Sequence, residues 1–297
     1  MACTKILNHN GAIIMRIKSF LLSLLLSATP CFAQSTSSSH VWERAAYGDV
    51  PGITHVLLNG FETITTTSRT MWPEQSVYTP LAAAMSSPYC ASSDNTNDNV
   101  GGTGCRTMRV SGVDTSYTAF SETLTMTGTT SVNLTTANIL SINKMQCLTA
   151  GTTFNNTGTI RCGTGTNTAG TPAVVHGRMS IGYGISQSFI YTVPAGHTLV
   201  CKDFVFASYG VTAAQSIQFY MDRYVDPVAG KVLIHENIGQ LNQAGTSAYV
   251  SPIYMTFTEK TILLGQALSA ASTGPVQMSA NCLLINNSWE NSPQTLF

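Results

Sequence analysis

Charge is what this 297-residue chain has least of: 9% of its residues are Asp, Glu, Lys or Arg, against about 25% in an ordinary globular domain. Lysine and arginine form no stripe and do not alternate with aromatics, so nucleic-acid binding is not expected. Cysteines never occur as CxxC pairs and no histidine lies near one at ligand spacing, which leaves no zinc pattern. The apolar segment Ser19–Ala28 is too short to cross a bilayer as a stable helix. No unit of about 20–50 residues repeats. No cofactor is expected: Gly163–Gly170 imitates a dinucleotide fingerprint but lacks a third glycine in register and a helix behind it. Low charge does not mean disorder here, because 43% of the chain is hydrophobic and its alternation persists.

What is present is threonine, serine and β pattern. The stretch Asp94–Gly128 reads as a polar loop, a strand, a turn and a second strand. Cys105–Val110 alternates in period two. Ser111-Gly112-Val113-Asp114 reads as the turn, with Gly112 able to take a positive φ. The return strand puts Phe120, Glu122, Leu124 and Met126 on one face and Ser121, Thr123, Thr125 and Thr127 on the other, a half-buried pattern. Before this stretch, HVWERAAYGDV suggests a short helix and ITHVLLNGF a strand; in the threonine-rich segment Thr63–Pro80, Trp72-Pro73 and Pro80 break any long element. Gly163–Gly170 reads as a loop and 171–188 as a connection. Val200–Ser208, Ser216–Tyr224, Lys231–Glu236, Tyr249–Phe257, Ile262–Leu268 and Val276–Ile285 then recur at sandwich spacing. The expected fold is all-β. It has an extended leader over 34–80, a hairpin-rich β domain over 81–185, a jelly-roll-like β-sandwich over 186–288 and a loose tail over 289–297.

Residues 1–33 read as a cleaved signal peptide. Arg16 and Lys18 precede the apolar segment, and Cys31-Phe32-Ala33 sets small residues at −3 and −1 of a cut before Gln34. Met15 would be the more conventional start; a lipoprotein through Cys31 is disfavoured by Thr29-Pro30, and a buried helix or virion anchor is the other alternative. Removal of 1–33 takes away Lys5, Arg16 and Lys18 and no acid, leaving 11 basic and 14 acidic residues. Six cysteines remain: Cys90, Cys105, Cys147, Cys162, Cys201 and Cys282. An even count in an exported chain suggests disulfides, with several connectivities open. Cys147 and Cys162 flank Gly151–Gly158 as a hairpin would set them, Cys90 and Cys105 bracket the polar loop, and Cys201 and Cys282 sit in the first and last long strands. Those three pairs are the expectation; free buried thiols are the alternative.

Apparent active sites dissolve on inspection. Ser141-Ile142-Asn143-Lys144 has S-x-x-K spacing and Ser93-Asp94-Asn95 spells S-D-N. Yet S-D-N comes first, the serine lies in β context and K-T-G is absent. Asp94, Asn97 and Asp98 offer oxygens for an irregular calcium site, though not an EF-hand, which would need glycine at Asn99 and glutamate at Cys105. His40, His55, His176, His197 and His235 are scattered without a partner at ligand spacing. A hydrolase would need Asp114, Glu122, Asp203, Asp222 or Glu259 to converge. No catalytic residue is assigned.

Five short motifs carry a resemblance. Gly102-Thr103-Gly104-Cys105-Arg106-Thr107, Gly112-Val113-Asp114-Thr115-Ser116-Tyr117 and Ser121–Thr129 follow a GTGxRT, G[LV]DxxY, SET[LV]T order. Ile190–Thr198 resembles a YTVPAGKT segment through Tyr191, Pro194 and Gly196, and Thr258-Glu259-Lys260-Thr261 a TEKT step. This series is similar to a family of virion structural proteins of tailed, often marine, bacteriophages. The resemblance implies structural roles for Gly104, Arg106, Asp114, Tyr117, Glu122, Pro194 and Gly196. It implies a non-enzymatic decoration, fibre or tail-associated protein partnered by copies of itself or other virion proteins. The signal departs from that family. The alternative is a secreted or periplasmic bacterial β-sandwich that binds host-surface glycans, exposing aromatics such as Tyr183, Tyr209, Tyr220 or Tyr224 on one face.

Overall fold

The structure, a computed structural model, describes residues 38–64, 66–74, 77–211, 216–225, 232–242, 245–269 and 273–290. The expected signal peptide and residues 291–297 of the tail lie outside them. The chain is almost entirely antiparallel β. In order come helix α1 (Ser38–Ala46) and strands β1 (Ile53–Ile64), β2 (Arg69–Thr70), β3 (Tyr89–Ser92), β4 (Cys105–Asp114), β5 (Ala119–Thr125) and β6 (Val132–Asn133). Then come β7 (Ile139–Ala150), β8 (Ile160–Thr168), β9 (Thr171–Met179), β10 (Ile190–Thr192), β11 (His197–Val211) and β12 (Ile217–Val225). The last are β13 (Val232–Leu241), β14 (Gly245–Ser251), β15 (Met255–Phe257), β16 (Ile262–Ser269), β17 (Gly274–Asn286) and the helical turn α2 (Asn287–Glu290).

Two sheets enclose the larger core. One runs β1-β17-β11-β14 with β15 also on β11, and the other runs β10-β16-β12-β13 with β2 on β16. Burial alternates along β17, which presents one apolar face, whereas the central strand β16 is covered on both. Phe189, Phe204, Phe206, Phe219 and Phe257 fill the space between the sheets. Each such ring contributes roughly 1.5–3 kcal/mol by leaving water. Phe206 and Phe219 also touch as a tilted pair, centroids 4.7 Å apart.

The second unit also has two sheets, β6-β3-β8-β9 and β5-β4-β7. Its core is rich in methionine, with Met85, Met108, Met126, Met145 and Met179 packed around Val110, Ile139 and Ile160. Flexible thioethers fill the irregular gap between two short sheets.

Five expectations need correction. The region over 34–80 is not a leader outside the domains: β1 pairs with β17 from Ile53↔Ile285 to Ile64↔Gly274, and β2 joins β16. The larger sandwich is therefore made from both ends of the chain. Residues 163–170 are not all loop, because β8 runs on to Thr168, and β9 replaces the supposed connection. Two glycines in β8 hid its pairing potential. The turn does not lie at Ser111–Asp114. Strand β4 continues through those residues, and the chain reverses at Thr115–Thr118, where Asp114 N–H donates to Thr118 O (3.0 Å). Tyr117 takes the positive φ (61°) there. Gly112 serves close approach instead, since a Cβ would lie 1.9 Å from Ser141 O across a bulge. The return strand does bury the face expected. In the tail, α2 forms an ordered turn at its start, with Asn287 N–H on Gly196 O (2.9 Å).

The fifth correction is the disulfide pairing. Cys201–Cys282 stands, at a directly opposed register position of β11 and β17. The others are Cys90–Cys162 and Cys105–Cys147. No β7–β8 hairpin exists: β7 belongs with β4, and β8 with β3 and β9. The 151–159 segment crosses from one sheet to the other, so each cysteine meets its neighbour within its own sheet. Non-reducing proteolysis with mass spectrometry is expected to recover peptides linked 90–162, 105–147 and 201–282, and none linked 147–162. Replacing Cys201 and Cys282 together by alanine should cost about 4.5 kcal/mol in the loop-entropy description, read by chemical denaturation.

Candidate functional site

Three of the resemblance motifs, Gly112–Tyr117, Ile190–Thr198 and Thr258–Thr261, meet where the two units join. Tyr117 O accepts Ala195 N–H at 2.8 Å, and Val113, Tyr117 and Leu140 bury a small cluster against Ala195 and Leu81. Val193 N–H donates to Thr261 O and Lys260 N–H to Val193 O, both at 2.9 Å, while the Glu259 carboxylate accepts Gly196 N–H at 2.5 Å. Next to them Asn143 clamps Thr192: its Nδ2 donates to Thr192 O and its Oδ1 accepts Thr192 N–H, each 2.9 Å. Ser141 Oγ accepts from Thr192 Oγ1 at 2.8 Å. The S-x-x-K serine is thus a joint, and Lys144 is a surface residue whose amine is pushed down by partial burial and then by Arg109.

The polar loop after β3 is built around one buried carboxylate. Asp98 Oδ1 accepts Cys105 N–H (2.8 Å), Thr157 N–H (2.9 Å) and Thr157 Oγ1 (3.2 Å). Its Oδ2 accepts Ser92 Oγ (2.6 Å) and Gly158 N–H (2.7 Å). Asp94 Oδ1 caps Thr96 and Asn97 N–H at 2.8 and 2.9 Å, and Asn97 Nδ2 reaches Asp94 Oδ2 at 2.9 Å. Bonds from the Asn97 side chain, then its backbone, hold the Asp94 carboxyl at about 2. The calcium candidates Asp94, Asn97 and Asp98 therefore face N–H and O–H donors. Among the described residues no group of three or more His, Cys, Asp or Glu could hold a metal ion. Gly104 packs against this carboxylate, where a Cβ would come within 2.2 Å of Asp98 Oδ1. Arg106 Nε donates to Gly102 O at 2.9 Å.

Other carboxylates likewise bind their own surroundings. Asp114 Oδ1 caps Ser116 and Thr118 N–H, both at 2.8 Å. Glu122 takes backbone and hydroxyl donors from Thr135 and Thr136. Burial pushes the Glu122 carboxyl up, and those hydrogen bonds outweigh it and hold it low. Asp203 pairs with Lys202 at 3.5 Å. Residue order gives Asp222 no partner, yet β12–β13 register sets it opposite His235, and it bonds both His235 Nδ1 and Gln266. Alternation along two runs could have suggested that pair; the register that aligns it could not be read. The hydrolase candidates Asp114, Glu122, Asp203, Asp222 and Glu259 share no hydrogen-bond partner among the described residues. His176 is buried, which pushes its ring toward the neutral form.

Clefts line the joint. One of about 240 Å³ runs between β1 and the β4–β5–β7 sheet, lined by Leu57, Leu58, Phe120, Lys144, Ile185 and Tyr191. Another, about 380 Å³, contains both Tyr183 and Tyr209. Of the four tyrosines expected to share a face, these two come together and are exposed; Tyr220 instead stacks on His235 at 4.3 Å, and Tyr224 packs against the Ile190–Ile262–Leu264 cluster. No helix among the described residues is long and apolar enough to cross a membrane.

No family model and no curated protein matches this chain. Among solved structures, the VP2 subviral particle of infectious bursal disease virus aligns at 10% identity, covering 86% of this chain and 80% of that one, with a TM-score of 0.26. The infectious bursal disease virus Gx strain gives 10%, 79%, 72% and 0.24. A Clostridium thermocellum xylanase 10B, CBM22-1 and GH10 modules with xylohexaose, aligns at 11% over 30% of this chain and only 17% of its own length, TM-score 0.20. Similarity this low carries no argument.

Asp98→Asn would set an amide N–H against backbone donors. It is expected to cost about 3 kcal/mol, measured by urea unfolding. Asp94, lowered in the folded state, stabilises above its ordinary value of 3.8 and loses that contribution as pH falls toward 2. Asp94→Ala should therefore flatten the fall in melting temperature between those pH values.

Proposed function

We propose that this chain is a non-enzymatic structural component of a bacteriophage particle, a decoration, fibre or tail-associated protein acting by rigid display and self-assembly. The observation that carries the reading is an open sheet edge. Among the described residues strand β14 ends its sheet and, with the residues after it, exposes Tyr249, Val250, Ile253 and Tyr254. Unpaired edge amides beside exposed apolar side chains recruit another strand or surface. A second copy of the chain is the occupant, as closed homo-oligomers are the common solution.

The fold supports the same reading. With β1, β10, β11, β12, β13, β14, β16 and β17 numbered one to eight, the sheets run 1-8-3-6 and 2-7-4-5. We read that order as a jelly roll with the second unit inserted between its first two strands, an architecture used by capsid and lectin domains. The short motifs at the joint lock the inserted unit in one orientation, which suits display. Three disulfides suit an extracellular or otherwise oxidising environment, whether around a virion or in the periplasm. They also favour the second reading, an exported bacterial sandwich that binds glycans.

Sedimentation velocity across micromolar concentrations tests assembly. The full chain is expected to associate, and Val250→Lys, a charge on the open edge, should weaken association by about tenfold or more. A chain that stays monomeric at every concentration would sink the assembly reading.

A further inference from the structure

The joint also creates a groove lined by aromatic and amide side chains. Asn59 and Phe61 of β1 lie beside Gln277 of β17, which stands opposite Phe61, and Tyr209 of β11 closes that side. Tyr183 and Gln187, from the segment between β9 and β10, form the other side. A smaller lobe of about 210 Å³ continues past Phe61, Tyr183 and Gln187 toward Thr63 and Ser180. The main lobe, about 380 Å³, falls within the roughly 300–1,000 Å³ range of small-molecule sites.

We propose that this groove binds a neutral saccharide, stacked against Tyr183 and Tyr209 and hydrogen-bonded by the Asn59, Gln187 and Gln277 amides. The chemistry of the lining selects the ligand. Its exposed aromatic faces carry negative quadrupole potential, which attracts the polarised C–H face of a pyranose. Carboxamides donate and accept at once, which matches hydroxyls that do the same. The main lobe contains no charged side chain, so a phosphate or carboxylate would be desolvated without a counter-charge. In the smaller lobe Arg178 binds Pro73 O and Glu74 through Nη1 while its Nε has no partner among the described residues, and buried Glu62 lines the same lobe, so the preference for a neutral ligand is set by the main lobe.

Two further observations show a prepared site. Gln187 is 5% exposed, lines both lobes, and has no side-chain hydrogen-bond partner among the described residues. Its amide is therefore free to donate to and accept from a ligand hydroxyl in the groove. The tyrosines are also positioned before any ligand arrives. Tyr209 Oη donates to Gln277 Oε1 at 2.7 Å, and Gln277 Nε2 to Asn59 Oδ1 at 3.0 Å, leaving the Asn59 N–H groups at the end of the chain. The loop carrying Tyr183 is held by buried Asn156, whose Nδ2 donates to Ser180 O and Gly158 O and whose Oδ1 accepts Gly184 N–H. Preorganisation of this kind lowers the entropic cost of binding.

The site deepens the glycan-binding reading and is compatible with a displayed virion protein; its test is independent of assembly. The full-length chain is applied to an array of neutral and acidic glycans, and the best-bound oligosaccharide is titrated by calorimetry. Binding to neutral glycans is expected. Tyr183→Ala and Gln187→Ala should each weaken it by about tenfold or more, Tyr183→Phe should retain it, and Tyr47→Ala, an exposed tyrosine elsewhere, should leave it unchanged. Tyr183 is itself exposed, so its variant keeps the fold, checked by the unchanged melting temperature. No neutral glycan bound, binding to acidic glycans alone, or affinity indifferent to Tyr183→Ala would each overturn the proposal. Monomeric behaviour with intact sugar binding would remove the assembly reading and leave this one standing.

Discussion

The antiparallel pairing of β1 with β17 is the constraint on which the rest depends. Twelve residues near the start of the described chain lie in continuous register with the last long strand, from Ile53↔Ile285 to Ile64↔Gly274. Once that ladder forms, everything between must leave and return to one sandwich. The second unit is therefore an insertion, not a preceding domain. The pairing also fixes where the joint can lie, because Asn59 and Phe61 of β1 face the connecting segment at 183–187. Long-range closure of this kind is entropically slow to form. The Cys201–Cys282 bridge, at a matched register position one strand away, reinforces it.

Scarce charge acquires a meaning from the same geometry. Asp94 and Asp114 cap turns, and other carboxylates join loops. Asp98 holds the Cys105 strand start, the Thr157–Gly158 crossing and Ser92 together. A buried carboxylate with five donors is strong only when all five are present, so it makes the loop cluster cooperative. Hydroxyls take the remaining polar work, as in the Ser141–Thr192 contact at the joint.

The resemblance motifs gain a physical reading. Gly112-Val113-Asp114-Thr115-Ser116-Tyr117, Pro194-Ala195-Gly196 and Thr258-Glu259-Lys260-Thr261 are short and made of common turn residues, yet they form one contact through Tyr117 O, Val193 and the Glu259 carboxylate. Their shared task is to fix one unit against the other. Positive-φ Tyr117 and Gly196 sit at its two sides. A non-glycine such as Tyr117 is strained there unless its surroundings hold it, which ties the motif's local chemistry to the assembled joint.

Local chemistry was legible from residue order. Alternation located β1, β12, β16 and β17 nearly to their ends and the middle of β11, caught only the first half of β13, merged β14 and β15 into one run, marked the buried face of β5, and set the all-β class, because side chains in a strand report their face every second residue. Cysteine parity pointed to bridges, and spacing near the C-terminus named one of them. Residue order could not tell which strands would be neighbours. Cys147 and Cys162 look like hairpin partners in sequence and lie in different sheets, and Asp222 meets His235 only through register. The glycine-bearing strand β8 has no alternation to announce it and exists because β3 and β9 flank it. The Tyr183–Tyr209 groove draws on β1, β11, β17 and the segment between β9 and β10. Side-chain period is a local property that the sequence determines by itself, whereas sheet order is a global minimum over long-range pairings, decided only when the folded chain closes on its own two ends.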